Sequence, residues 1–256
     1  MSKYNFDSNS ENSEILYGRN PVIEALRSEM SINKLLIAQG DNSGSIKVIL
    51  SLARDKQIVY QTVDRKKLDD ICGHKNHQGV VMYVSAGEYA LVEDILNKAR
   101  EKNENPFILI LDEIQDPHNL GAMIRTAEAC GVHGIIIPKR RSVQLTGAVA
   151  KASAGALSHM LIARVANLPT VIDDLKKEGL WIAGTDAGGE TEFFKADYSG
   201  PIGLVIGSEG YGIGELVRKK CDYIITIPMV GKVSSLNASV AAGLVMYEVF
   251  KGRYHK

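Results

Sequence analysis

Three stretches of the chain carry polar side chains whose types suit the handling of a sugar or a phosphate. Asn119, Arg125 and Glu128 fall within "PHNLGAMIRTAEACG" (117–131), and Glu209 sits in "GSEGYGIGE" (207–215). Ser234, Ser235, Asn237 and Ser239 follow in "PMVGKVSSLNAS" (228–239). Amides, hydroxyls, a guanidinium and two carboxylates make a set rich in donors and acceptors but poor in groups that titrate near neutrality. Such a set orients a ligand through several directional bonds, and the guanidinium adds a forked grip on phosphate. The competing reading of Arg125 and Glu128 is a solvated i,i+3 ion pair on a short helix.

Other chemistries fail on spacing. From Gly210 and Gly212 the third glycine of a dinucleotide fingerprint would have to fall at Glu215. There is no phosphate-loop motif and no G-x-S-x-G nucleophile elbow. "CGHKNH" (72–77) has no second ligand pair to complete a zinc site, so no metal is expected. Lys+Arg and Asp+Glu are each 30, which argues against indiscriminate nucleic-acid binding while leaving room for a local patch. The best such patch is "PKRRS" (138–142), with Lys139, Arg140 and Arg141, extended by Lys151 if 144–154 is helical. No run approaches a membrane span, the first residues are polar with no signal-peptide core, and three scattered cysteines read as buried thiols. A cytoplasmic protein is expected.

The elements that must position these residues form two blocks. Residues 1–14 are poor in apolar side chains and read as a disordered tail. Residues 15–86 read as a small αβ domain: a helix in "GRNPVIEALRS" with Asn20 as N-cap, strands at 34–38, 57–62 and 79–85, and helical runs near 45–54 and 65–72. The charged stretch ending at Pro106 reads as a linker over 87–105. From 106 to 256, apolar strand-like runs alternate with helical ones, at 107–113, 134–138, 160–165, 180–185, 202–207 and 222–228. That pattern predicts an α/β fold, with a mostly parallel sheet covered by helices on both faces. Asn119 is the expected N-cap of the helix in 117–131, Leu120, Met123, Ile124 and Ala127 its buried stripe, and Gly131 its stop.

At the polar clusters the sequence resembles a known family. N-L-G-A-M-I-R-T-A-E (119–128), L-V-I-G-S-E-G-Y-G-I (204–213) and I-P-M-V-G-K-V-S-S-L-N-A-S-V-A (227–241) resemble, in order, the three motifs of the SpoU/TrmH class of RNA ribose 2′-O-methyltransferases. "YGRNPVIEAL" (17–26) and "HQGVVMYVS" (77–85) resemble the ends of that family's small substrate-binding domain, which is similar to a ribosomal L30e-type αβ module. Having both halves points to the subgroup that methylates a guanosine of 23S rRNA. A tRNA methyltransferase and a non-catalytic RNA-binding or ribosome-assembly factor are the alternatives.

The resemblance implies a C-terminal trefoil knot, a homodimer and S-adenosylmethionine as cofactor. It places the cofactor on backbone around Thr185, Gly207, Ile227, Met229 and Leu236. It makes Arg125 the catalytic arginine. A guanidinium has no acceptor, so its expected role is to grip the phosphate beside the target ribose and stabilise charge growing on the 2′-oxygen. Asn119 is expected at the ribose or at Arg125, Glu209 at Arg125 or the loop backbone, and Asn237 at the substrate or Glu209. Ser235 is expected to buttress them, and Glu128 to serve as a structural partner. Lys139, Arg140 and Arg141 are expected to touch RNA.

Overall fold

The computed structural model describes residues 15–41, 43–232 and 235–254, so the tail expected over 1–14 lies outside the described residues. The chain divides into two compact units, one running to Glu88 and including Gln144–Ala148, the other made of Tyr89–Val143 and Val149 onward.

The first unit runs β1 (Ile15–Tyr17), α1 (Arg19–Arg27), β2 (Ile32–Ala38), α2 (Gly44–Asp55), β3 (Tyr60–Val63), α3 (Arg65–Cys72) and β4 (Val80–Val84). Its mixed sheet has the order β1-β4-β2-β3, with β2 and β3 parallel and the other pairs antiparallel. Alternation along β2 buries both faces: Leu35 and Ile37 join Val22, Leu26, Ile46 and Ile49, while Leu36 and Ala38 join Leu68 and Cys72. Helix α1 begins one residue before the expected cap. Gly18, at φ 91°, takes the N-cap position rather than Asn20, and Pro21 costs nothing in a first turn whose N–H groups have no helical partner. His77 is buried, with Nε2 at 2.9 Å from Asp69 Oδ1 and Nδ1 accepting from the Gly79 N–H at 3.0 Å.

The remaining elements are α4 (Val92–Glu101), β5 (Phe107–Leu111), α5 (Pro117–Ala129), β6 (Gly134–Pro138), α6 (Gly147–Ala152), β7 (Leu161–Val165), α7 (Leu168–Lys177), β8 (Trp181–Thr185), β9 (Thr191–Glu192), β10 (Ile202–Ile206), α8 (Glu215–Arg218), β11 (Tyr223–Thr226) and α9 (Ala238–Tyr254). Their seven strands pair in parallel throughout, in the order β7-β6-β5-β10-β8-β11-β9. On one face, Ile108, Ile110, Ile136, Ile182 and Val205 pack with α4, α7 and α8 through Ile95, Leu96, Ile172, Leu175 and Val217. The intervening Leu109, Ile135, Ile137 and Leu204 are fully buried as well, so the opposite face is covered too.

The linker expected over 87–105 is corrected here. Ala90 bridges to Ala163 beside β7, and α4 buries Ile95, Leu96 and Ala99 in the second unit. Val92, Ile95, Leu96 and Ala99 form an i, i+3, i+4, i+7 stripe that the charged run after Asn97 obscured.

At the amino ends of the central strands, His133 is fully buried, accepting from the Phe107 N–H at 3.0 Å and donating to Glu104 at 3.0 Å. Nearby, Arg253 in the last turn of α9 donates to the carbonyls of Asn105, Pro106 and Gly200 at 2.7, 3.1 and 3.0 Å.

Candidate active site

Strands β5, β10, β8 and β11 are neighbours and run the same way, so their carboxyl ends share one edge of the sheet. Ligands of open α/β sheets bind at that edge, where the connecting loops gather. Four segments emerge there: 112–116 before α5, 186–190 after β8, 207–214 after β10, and 227–232 with 235–237 before α9.

Helix α5 starts earlier than its sequence suggests. Asp116 is the N-cap, accepting from the His118 N–H at 2.7 Å, with Pro117 at the first helical position. Asn119 is therefore released from capping, and its side chain turns inward, with the residue only 9 % exposed. Its Nδ2 donates to Glu209 Oε1 at 2.9 Å, and its Oδ1 accepts from Asn237 Nδ2 at 2.9 Å. Asn237 Nδ2 also donates to Glu209 Oε1, as does the Ala238 N–H at 3.3 Å. The Asn237 Oδ1 in turn caps α9, accepting from the N–H groups of Ser239 at 2.9 Å and Val240 at 3.3 Å. One carboxylate oxygen thus receives three N–H donors, while Glu209 Oε2 has no partner among the described residues. This cluster joins all three polar stretches of the sequence.

The loop that carries Glu209 is held from both sides. Asp112, buried at the end of β5, accepts from the Gly214 N–H at 2.8 Å. Burial pushes its carboxyl above the usual carboxylate range, opposed by that backbone bond. Ser208 and Gly212 exchange backbone bonds of 3.0 and 2.9 Å, which closes the tip. The chain doubles back so tightly that a Cβ on Gly207 would lie 2.1 Å from the Gly212 carbonyl carbon. Ser208 Oγ is buried with no partner among the described residues. Asp186 of the loop after β8 pairs with Arg218 of α8 at 3.0 Å, and Thr226 donates to the Ala187 carbonyl at 3.3 Å.

Gly121, the glycine that sits oddly in the first turns of α5, has a packing cause. A Cβ there would lie 2.4 Å from Ala152 Cβ and 2.9 Å from the Ala152 carbonyl carbon. Arg125 is exposed and, among the described residues, has no hydrogen bond or ion pair. Neither the Arg125–Glu128 pair nor an Arg125–Glu209 contact forms, and both side chains are otherwise placed: Glu128 is exposed, and Glu209 is turned to the two asparagines. Thr185 donates its hydroxyl to the Val205 carbonyl at 2.9 Å, Gly207 is buried, Ile227 and Leu236 are half-buried and Met229 is exposed. Ser235 is exposed without a hydrogen bond to the described residues, and Ser234 lies outside them.

Lys139 is half-buried, and Arg140 and Arg141 are exposed, the last pairing with Glu113 at 3.3 Å. Burial, then the neighbouring Arg164, lowers the Lys139 pKa. Cys130 and Cys221 are free thiols pushed by burial to about 11 and about 12, far from thiolate chemistry. Sequence reasoning missed Asp112, Asp116 and the Asp186–Arg218 pair; the Asp-Pro step at 116–117 was the one readable signal, an N-cap followed by a first-turn proline.

With this geometry in place, comparison with known proteins is specific. Residues 106–247 match the model of the SpoU rRNA Methylase family, and 15–90 match that of the RNA 2′-O ribose methyltransferase substrate-binding domain. A protein named for the TrmH family of tRNA/rRNA methyltransferases, YacO of Bacillus subtilis, is 51% identical over 95% of this chain and 98% of its own length. The SpoU methyltransferase AviRb of Streptomyces viridochromogenes, crystallised with AdoMet, is 26% identical with a TM-score of 0.59, over 93% of this chain and 89% of its own. An AdoMet-bound rRNA methyltransferase of Sinorhizobium meliloti is 26% identical with a TM-score of 0.58, over 93% and 87%.

Proposed function

The chain belongs to the SpoU rRNA methylase family, and on that premise we propose that it moves a methyl group from S-adenosylmethionine to the 2′-oxygen of a guanosine ribose in 23S rRNA. The observation that carries this reading is the junction of Asn119, Glu209 and Asn237 at the carboxyl edge of the sheet. The donor set fits the cofactor. Main-chain groups around Thr185, Gly207, Ile227, Met229 and Leu236 lie in three loops of that edge, with the partnerless Ser208 hydroxyl among them. When bound, S-adenosylmethionine supplies a methyl group on an electron-poor sulfonium.

The chain's own residues then have separable tasks. Asn119 and Asn237 fix the carboxylate of Glu209, whose Oε2 accepts a hydrogen bond from the ribose hydroxyl and orients its oxygen lone pair. Arg125 holds the adjoining phosphate and stabilises negative charge developing on the 2′-oxygen. Its lack of a partner among the described residues suits a side chain reserved for substrate. Ser235 flanks Asn237. Lys139, Arg140 and Arg141 provide a basic track for RNA, and the first unit recognises the folded RNA around the target.

The reading carries three further features: a knot, a homodimer and a cytoplasmic location. The knot is supported by the strand order, in which β10 lies between β5 and β8 before the chain passes to β11 and returns through α9 to α5. The dimer is supported by α9, which buries Ala242, Val245, Met246 and Val249 yet also exposes Val240, Leu244 and Tyr247 at i, i+4, i+7 spacing. No helix among the described residues is long and apolar enough to cross a membrane.

The test is transfer of labelled methyl from S-adenosylmethionine to RNA from cells lacking the gene, followed by mapping of 2′-O-methyl marks. A single guanosine in 23S rRNA is expected. A mark confined to tRNA would replace the substrate. RNA binding with no transfer to any RNA would favour an assembly factor.

A further inference from the structure

Resting on that reading of the site, we propose that Tyr211 is a stacking platform for a nucleobase of the bound RNA, beside the nucleotide held at the Asn119–Glu209–Asn237 junction. Tyr211 is 93 % exposed, more than any other aromatic side chain among the described residues. Its hydroxyl makes no hydrogen bond, and its ring no stacking or cation contact, among the described residues. Tyr198 and Tyr223, by contrast, each donate their hydroxyl to a carbonyl, and Tyr247 and Tyr254 pack on Phe250.

The exposure is not that of a loose loop. Tyr211 lies in a tip closed by the paired Ser208 and Gly212 bonds, anchored by Asp112 at Gly214 and by the donors on Glu209, two residues away. With the backbone held in this way, covering the ring orders only its side-chain torsions, and a flat partner recovers the apolar area it now shows to water. The site selects that partner: on the proposed function the ligand held at the junction is RNA, and its bases present the flat, neutral faces that stack on an aromatic ring. Such stacking is tolerant of base identity, so Tyr211 contributes grip and placement rather than sequence choice.

The experiment compares wild type with Tyr211→Ala, Tyr211→Leu and Tyr211→Phe. The probes are total RNA from cells lacking the gene, by filter binding and methyl transfer, and S-adenosylmethionine alone, by calorimetry. The expected result is an RNA Kd and KM raised about fivefold or more in the Ala and Leu variants and restored in Phe, as loss of one stacked base requires. Affinity for S-adenosylmethionine and the sedimentation coefficient stay at wild-type values. RNA affinity within about twofold of wild type in the Ala and Leu variants overturns the proposal, given what stacking contributes. So does a defect that follows cofactor affinity, or a change in sedimentation, which would assign the ring to the cofactor or to a second copy of the chain. If wild type methylates no RNA, the proposed reaction falls, and the RNA Kd of the variants still decides the role of Tyr211.

Discussion

Asn119 and Glu209 lie 90 residues apart in sequence and are joined by a hydrogen bond of 2.9 Å from Nδ2 to Oε1. The bond ties the first turn of α5 to the loop after β10, and Asn237 closes the triangle from the head of α9. Glu209→Ala leaves both amides without their shared acceptor. A hydrogen bond to a charged group contributes roughly 1.5–3 kcal/mol, so kcat/KM for methyl transfer is expected to fall by on the order of tenfold to a hundredfold. Glu209→Gln, which keeps an oxygen acceptor, should fall between the two. Unchanged turnover in the alanine variant would sink the assigned role.

Arg125 separates function from fold. Its side chain is exposed and has no partner among the described residues, so Arg125→Ala should move the melting temperature by no more than about 2 °C. Turnover should drop by about a hundredfold or more, the scale seen when one group that stabilises developing charge is removed. Arg125→Lys keeps a point charge without the fork and should recover only part of that loss. Full activity in the lysine variant would refute a phosphate grip.

Two glycines of one loop should behave oppositely. A Cβ on Gly207 would sit 2.1 Å from the Gly212 carbonyl carbon, whereas one on Gly210 meets nothing within 4 Å. Overpacking of that kind costs about 1–3 kcal/mol. Gly207→Ala should lower both thermal stability and S-adenosylmethionine affinity, while Gly210→Ala leaves the melting temperature in place. Calorimetry on the pair checks this.

The buried His133 should make the fold sensitive to acid. Burial lowers its pKa from the ordinary 6.5, against the pull of Glu104. The unfolded chain then takes up a proton at higher pH than the native one, so stability rises with pH across that window. His133 contributes fully above about 6.5 and loses its contribution as pH falls through the lowered native value. Urea denaturation between pH 8 and pH 5 should show the decline, and His133→Gln should flatten it; an equal slope in both proteins would rule it out.

The exposed stripe of α9 gives a separable prediction about assembly. Leu244 is 42% exposed between Val240 and Tyr247. Leu244→Glu places a charge in the proposed contact and should shift sedimentation from dimer to monomer, while circular dichroism keeps its helical content. A wild-type chain that sediments as a monomer would dispose of the dimer.

Much of the fold was readable because buried parallel strands are written as apolar runs. "GIIIP" gave β6 its observed limits, and the other five runs of the second unit each contain a strand. The helix of the first polar stretch was found from Leu120, Met123, Ile124 and Ala127, all buried. Its start was misplaced because Asn119 and Asp116 are both good caps, and only tertiary contacts decide which is drawn elsewhere. Helix α4 was lost in a linker because charged residues crowd its second half. At the site, sequence brought Asn119, Glu209 and Asn237 onto one page through resemblance, but not the sharing of a single oxygen. The expected Arg125–Glu209 contact had no local pattern behind it, since pairing across 84 residues is set by helix rotation rather than spacing.

Arg253 fastens the far end of α9 to the carbonyls that precede β5 and β10, while Asn237 at its near end completes the junction with Asn119 and Glu209. A nascent polypeptide therefore emerges from the ribosome with two of three junction members made and nothing to unite them. Methylating competence arrives only when the last helix docks at both tips, so a prematurely terminated product would be silent rather than half-active.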